Sequence, residues 1–234
     1  MINIAVTSDL HGHLPEIKRC DILLICGDIM PLEIQRDFYK SEFWMRSTFA
    51  EWIVNLPCDQ VIMVGGNHDY YLEAIENDDI KKYESLYRAT RNKLEVLYNK
   101  ECVVSSKDGD IIKIWGTPYC QEFGNWYFNK SPEELKEAYS SMPKGCDIVI
   151  SHDPPKVGKY GTILEGSRKG KNCGNPYLAK EIKEKVPRYC FAGHIHSADH
   201  NLGTYKGYGI TQFANVSYLD ESYDPTYNIL YLSI

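Results

Sequence analysis

Six short, nearly continuous apolar runs constrain this chain more than any other feature, because five of them end in a polar motif built from Asp, His, Asn and Gly. The runs cover residues 2–6, 22–26, 61–64, 111–115, 148–150 and 189–192. Runs this short and this uniformly apolar suit strands covered on both faces, as in a parallel or mixed sheet flanked by helices. Helices are predicted between them: over 32–55, over 73–94 with breaks, over 131–139 behind a Ser-Pro-Glu-Glu cap, and over 176–185. Residues 201–234 are rich in Tyr, Thr, Val and Ile with Gly punctuation, which predicts antiparallel strands completing a second sheet.

The five motifs are Asp9-Leu10-His11 in TSDLHG, Gly27-Asp28 in LLICGD, Gly66-Asn67-His68-Asp69 in VGGNHD, Ser151-His152 in VISHD, and Gly193-His194-Ile195-His196 in FAGHIH. Each falls in the loop beyond the carboxyl end of a predicted strand, where open α/β sheets form their ligand crevice. The motifs can therefore converge. In an extended segment Asp9 and His11 point to the same side and can hold one metal ion. Asp28, beside flexible Gly27, has two oxygens with which to bridge two cations. Asn67 offers a neutral amide oxygen, and His152, His194 and His196 offer ring nitrogens. Mixed imidazole and carboxylate ligation suits Mn, Fe, Zn, Co or Ni and argues against an all-oxygen Ca site.

Together, DxH, GD, GNHD, H and GHxH resemble the calcineurin-like metallophosphoesterase superfamily, over the span from Asp9 to His196. The resemblance implies an α/β/β/α sandwich of two mixed β-sheets flanked by helices. It implies that Asp9, His11, Asp28 and His196 hold one divalent ion, that Asp28, Asn67, His152 and His194 hold a second, and that His68 is catalytic. Mn is the favoured metal. Two cations about 3.5 to 4 Å apart can share a hydroxide, acidify it and clamp phosphate oxygens during in-line attack, so no protein nucleophile is needed. His68 is the one motif histidine that the ligand set leaves over. Next to a bound phosphate it can protonate the leaving oxygen, and Asp69 is expected to orient it and favour its imidazolium form.

A narrower likeness lies in Cys20-Asp21-Ile22-Leu23-Leu24, Asn55-Leu56-Pro57, Trp115-Gly116-Thr117-Pro118-Tyr119 with Asn125-Trp126-Tyr127-Phe128-Asn129, and Asp224-Pro225-Thr226-Tyr227. These resemble the MPPED subgroup, which is associated with phosphodiesterase activity including weak cyclic-nucleotide hydrolysis. Vertebrate members of that subgroup carry glycine at the first histidine of GHxH. His194 is intact here, which implies firmer binding of the second metal.

The expected activity is therefore hydrolysis of a small or nucleotide-derived phosphodiester. A phosphomonoesterase or protein phosphatase is the rival within the same chemistry, and a metal-binding scaffold without catalysis is the rival outside it. All the expected ligands and His68 are present, which counts against the scaffold. With 26 basic against 32 acidic residues and a net charge of -6, strong binding to nucleic acid or to a membrane surface is not expected. The 234 residues, with no internal linker or repeat, predict one domain over 1–234. With no leader and no apolar span, the expected location is the cytoplasm. The eight cysteines are scattered without CxxC spacing and read as buried free thiols.

Four features stay open at the level of sequence. Residues 165–175, EGSRKGKNCGN, form either a surface loop or a lid that brings Arg168 or a lysine to the substrate. Tyr119, Phe123, Trp126, Tyr127 and Phe128 either plug the core or offer rings for stacking, and the same choice applies to Tyr70 and Tyr71. His13 and His200 read as solvated or supporting histidines.

Overall fold

The computed structural model describes residues 1–78, 80–106 and 109–234. The apolar runs become the parallel centres of two mixed sheets. In the first, β1 (Asn3–Thr7), β2 (Ile22–Ile25), β3 (Gln60–Met63) and β4 (Leu94–Val96) lie side by side and parallel. β5 (Lys100–Ser105) and β6 (Ile111–Thr117) form an antiparallel pair at one edge of the second sheet. A ribbon of β7 (Cys120–Gln121) and β8 (Asn129–Lys130) follows. β9 (Ile148–Ser151), β10 (Tyr189–Ala192), β11 (Gly203–Thr204) and β12 (Gln212–Asn215) then complete the second sheet in the order β11-β12-β10-β9-β6-β5. β13 (Leu230–Ser233) returns to the first sheet and pairs antiparallel with β1, from Asn3↔Ser233 to Val6↔Leu230.

The tail departs from its expected role. Only β11 is an antiparallel addition to the second sheet; β12 runs parallel to β10, and β13 belongs to the first sheet. Composition reports a preference for extended backbone, whereas the crossover that delivers a strand fixes its direction and neighbour.

Helices cover the outer faces. α1 (Phe38–Trp44) and α2 (Ala50–Asn55) are joined through a π-helical turn at Met45–Phe49. α3 (Tyr70–Asp78) and α4 (Ile80–Ala89) follow β3; Asp79, inside the helical stretch expected over 73–94, lies outside the described residues. α5 (Pro132–Ser140) starts on a capping box between Ser131 and Glu134, as its sequence predicts. α6 (Pro176–Lys185) starts where the Asn175 side chain accepts from the backbone of Tyr177 and Leu178. The helix expected from residue 32 starts only at Phe38. Asp37 caps it by accepting from the Lys40 backbone, and the N–H groups of Ile34 and Asp37 are taken by the carbonyls of Pro31 and Ile34.

Three apolar layers hold the sandwich. Leu23, Ile25, Val61 and Met63 pack outward against Met45, Phe49, Tyr71 and Leu86 of the first helical layer. Val6, Ile22, Leu24 and Ile62 pack inward against Ile114, Ile148, Ile150 and Phe191 of the second sheet. Val149, Cys190 and Phe213 face Leu135, Tyr139, Leu178 and Ile182 of α5 and α6. The alternation of neighbours such as Leu23 and Leu24 between two layers explains why these runs are apolar at every position. All eight cysteines are free thiols, and Cys173 is the one that is not buried. Among the described residues no helix is long and apolar enough to cross a membrane.

Phe191 is fully buried between the sheets. Phe191→Ala is expected to cost about 3 to 5 kcal/mol in urea unfolding; a loss under about 1 kcal/mol would mean that the sheets do not meet there.

Candidate metal centre

The strand-end loops are tied to one another before any side chain is considered. Asp9 N donates to Gly27 O at 2.9 Å, His11 N to Asp28 O at 3.0 Å, and Gly193 N to His152 O at 3.2 Å. Four motif residues, Asp9, His11, Asp28 and His194, adopt left-handed backbone with φ of 53°, 41°, 54° and 67°. Such conformations cost roughly 1 to 3 kcal/mol each outside glycine and persist only when the surroundings fix them. Two motif glycines are demanded by close approach. A Cβ on Gly66 would stand 2.3 Å from Asp28 Oδ1, and one on Gly193 would stand 2.1 Å from Asp9 Oδ2.

All seven residues expected to hold metal converge. The ligand atoms of Asp9, His11 and His196 lie within 4.8 Å of one another, as do those of Asp28, His152 and His194. Asp28 Oδ2 faces both groups, 3.2 Å from His152 Nε2 and 3.7 Å from His11 Nε2. Asn67 Oδ1 is 2.9 Å from His152 Nε2. Six of the seven are buried, and His194 is half-buried.

Supporting bonds aim these groups. His152 Nδ1 donates to Cys26 O at 2.9 Å and His196 Nδ1 to Asp220 O at 2.8 Å, which leaves each Nε2 directed at a carboxylate. Asp9 accepts from Ser217 Oγ at 2.7 Å and from the backbone N of His194. His200 Nε2 donates to His196 O at 2.9 Å, while its ring stacks on Tyr227 at 3.6 Å, a supporting role. His13 is exposed.

The electrostatics fit cations. Burial opposes charge on His152 and His196, but the carboxylates of Asp28 and Asp9 outweigh it and raise them to about 10 and about 9. Burial lowers His11 to about 4, so it is neutral. Among the described residues, neither ring nitrogen of buried His11 has a hydrogen-bond partner. An orphaned imidazole beside two carboxylates is the pattern that a metal ion completes. Burial and the Asp28 carboxylate push Asp69 up to about 7, against four N–H donors that favour its anion. A cation on Asp28 relieves that repulsion.

His68 and Asp69 do not meet as the sequence suggested. The Asp69 carboxylate accepts from the backbone N–H groups of Asp28, Ile29, Met30 and Gly66 at 2.8 to 3.0 Å, which uses its oxygens on main chain. His68 Nδ1 instead bonds Gln35 Oε1, and His68 Nε2 points back towards Asp28 Oδ2 at 3.9 Å. Burial lowers the His68 pKa, so the imidazolium is not the resting form Asp69 was expected to sustain. Consecutive residues at the entrance to a helix point in different directions, so adjacency in Asn-His-Asp did not imply contact.

The walls are aromatic. Trp126 lies 4.3 Å from the His68 ring, Phe123 lies 5.1 Å from His194, and Tyr223 edges against His11 and His196 at 5.0 and 5.2 Å. Phe128 and Tyr71 are core residues, and Tyr70 stacks on Tyr127. Tyr223, Ser217 and Gln35 carry no motif, which is why the sequence did not single them out. Within the 165–175 segment, residues 165–171 form an exposed turn with Gly170 N bonded to Ile163 O and Arg168 exposed, whereas Gly174 and Asn175 are buried.

Two facing mixed sheets with an imidazole–carboxylate centre at their carboxyl ends make up the metallophosphoesterase fold. The chain belongs to the calcineurin-like phosphoesterase family, whose sequence model matches residues 2–198. The family implies divalent metal ions at a binuclear site, and the two His/Asp groups are the candidates to hold them. The chain is 27% identical over 237 residues to Metallophosphoesterase domain-containing protein 1 of Homo sapiens and of Mus musculus, covering 93% of this chain and 66% of each relative. It thus spans just under two thirds of their length. The crystal structure of Phosphopantetheinyl Hydrolase from Mycobacterium tuberculosis superimposes with a TM-score of 0.58 at 17% identity, over 92% of this chain and 88% of that one. That likeness concerns the fold.

Loading the centre must displace the protons on His152 and His196. Metal binding at pH 7 is therefore expected to release about two protons per pair of ions, and affinity should rise with pH until these groups are neutral, near 9 to 10. Titration calorimetry in buffers of different ionisation heat measures the release; buffer-independent heats would contradict it.

Proposed function

We propose that this chain is a divalent-metal-dependent phosphoric ester hydrolase that prefers small or nucleotide-derived phosphodiesters. The observation that carries the reading is the pair of His/Asp groups meeting at Asp28. Asp9, His11, Asp28 and His196 would hold one ion, and Asp28, Asn67, His152 and His194 the other. Manganese suits this nitrogen and oxygen set, which has no thiolate. When bound, the ions supply an acidified water as nucleophile and neutralise phosphoryl charge. In its imidazolium form His68 carries at Nε2 a proton that the departing oxygen can take, and its ring is fixed from behind by Gln35.

The diester preference is supported by what surrounds the centre. A monoester dianion brings one more charge than a diester and calls for a further cation. Phe123 and Tyr223 border the two groups, and Trp126 and Gln35 border His68; all four are neutral. The nearby guanidinium of Arg36 is stacked on Trp126 and bonded to Asn125 O. Aromatic walls suit two ester substituents better than a bare phosphate.

Manganese-loaded protein is expected to turn over a bis-nitrophenyl phosphate faster than a mono-nitrophenyl phosphate; the reverse order would favour a phosphomonoesterase. His68→Ala should retain both ions yet lose about 10²- to 10⁴-fold on an alkyl diester, with a much smaller loss on a nitrophenyl diester. Equal losses on both would remove His68 from proton transfer.

A further inference from the structure

We propose that Gln35 is the positioning residue of His68, holding the imidazole in one tautomer and one orientation, with its neighbour Arg36 closing the ring in from the side of Trp126. This rests on the reading of His68 as the proton donor to the leaving group.

The amide of Gln35 is not free to choose its role. Its Nε2 donates to the carbonyl of Leu32 at 2.9 Å, which leaves Oε1 as the atom that meets His68 Nδ1. An amide oxygen can only accept, so Nδ1 must carry the hydrogen. The same holds whether the imidazole is neutral or charged. Nε2, the nitrogen facing Asp28, is therefore bare in the neutral ring, and the proton it can transfer is the one it takes up in the imidazolium.

The segment around Gln35 is built to hold it there. Residues 31–37 stay out of α1 as two successive turns, with Ile34 N on Pro31 O and Asp37 N on Ile34 O, and Ser41 Oγ also donates to Ile34 O at 2.8 Å. Gln35 thus comes from backbone pinned on both sides. Arg36, the next residue, sends its guanidinium over Trp126 at 4.4 Å and bonds Asn125 O at 3.0 Å. Trp126 in turn lies 4.3 Å from the His68 ring. The backbone N of His68 donates to Asp28 Oδ1 at 2.8 Å, so main chain, ring nitrogen and ring face are each constrained by a different partner. A neutral amide also adds no negative charge to a centre already holding Asp9, Asp28 and Asp69. It can therefore orient the imidazole without competing for the cations that those carboxylates serve.

Three variants in the full chain test the assignment: Gln35→Met, which keeps the volume and removes the acceptor; Gln35→Glu, which keeps an acceptor; and His68→Ala as reference. Proton NMR of the zinc-loaded protein is expected to show a slowly exchanging imidazole N–H resonance that His68→Ala removes. Gln35→Met should lose the same resonance through fast exchange, and Gln35→Glu should keep one. In manganese-loaded protein, Gln35→Met should lower kcat on an alkyl diester by about 10- to 100-fold, with KM and metal content unchanged and little effect on a nitrophenyl diester. Gln35→Glu should restore most of the alkyl-diester rate. Retention of the resonance and the alkyl-diester rate in Gln35→Met would overturn the proposal, as would equal losses on both esters. A His68→Ala protein without leaving-group dependence would instead overturn the role of His68, while the resonance still decides whether Gln35 holds the ring.

Discussion

One buried carboxylate organises the centre without belonging to it. Asp69 gathers the N–H groups of three consecutive residues after β2 and that of Gly66 after β3, so two strand-end loops become one unit. Charge-assisted bonds of this kind, out of water, are roughly twice as strong as neutral ones. They hold Asp28 in a left-handed conformation that a residue with a Cβ would otherwise leave. The position of Asp28 between both histidine groups depends on that hold, and the closeness of Gly66 to Asp28 depends on it as well.

The second constraint is charge. Asp9, Asp28 and Asp69 are all fully or almost fully buried, and little around them is permanently cationic. Protons shared by His152 and His196 offset part of this in the protein alone, while neutral His11 and His194 remain ready to ligate without giving up a proton. Divalent ions bound there would take over the charge compensation that those protons provide. Backbone carbonyls at Cys26 and Asp220 do the rest by fixing which ring nitrogen faces inward.

Much of this was legible in the sequence because each metal-facing residue sits immediately after an apolar run, and strand ends are geometrically predictable. Asp9, His11, Asp28, Asn67, His152, His194 and His196 all arrive where their motifs placed them. The partner of His68 was not legible. Gln35 lies in a stretch whose apolar spacing reads as helix, and only the cap at Asp37 and the turns before it keep the residue out of α1. Asp69, adjacent to His68 in sequence, turns instead to the main chain of Asp28, Ile29, Met30 and Gly66, a partnership that adjacency does not reveal. Tyr223 and Ser217 were missed because they come from a tail whose composition says strand but not which sheet, and β13 shows how little composition says about pairing.

The two histidine groups also divide between the layers in a particular way. Asp9 and His11 follow a strand of the first sheet and His196 a strand of the second; Asp28 follows the first and His152 and His194 the second. Asp9 further reaches across to Ser217 and to the His194 backbone. The centre is thus a seam that stitches two independently hydrogen-bonded sheets along their carboxyl edges. A shear of one sheet over the other, as small as a repacked side chain in the layer between them, alters the separation of the ligand halves while leaving every ligand in place. Residues that ligate nothing, such as Phe191 and Ile150 in the layer between the sheets, therefore help to set how far apart the ligand halves stand.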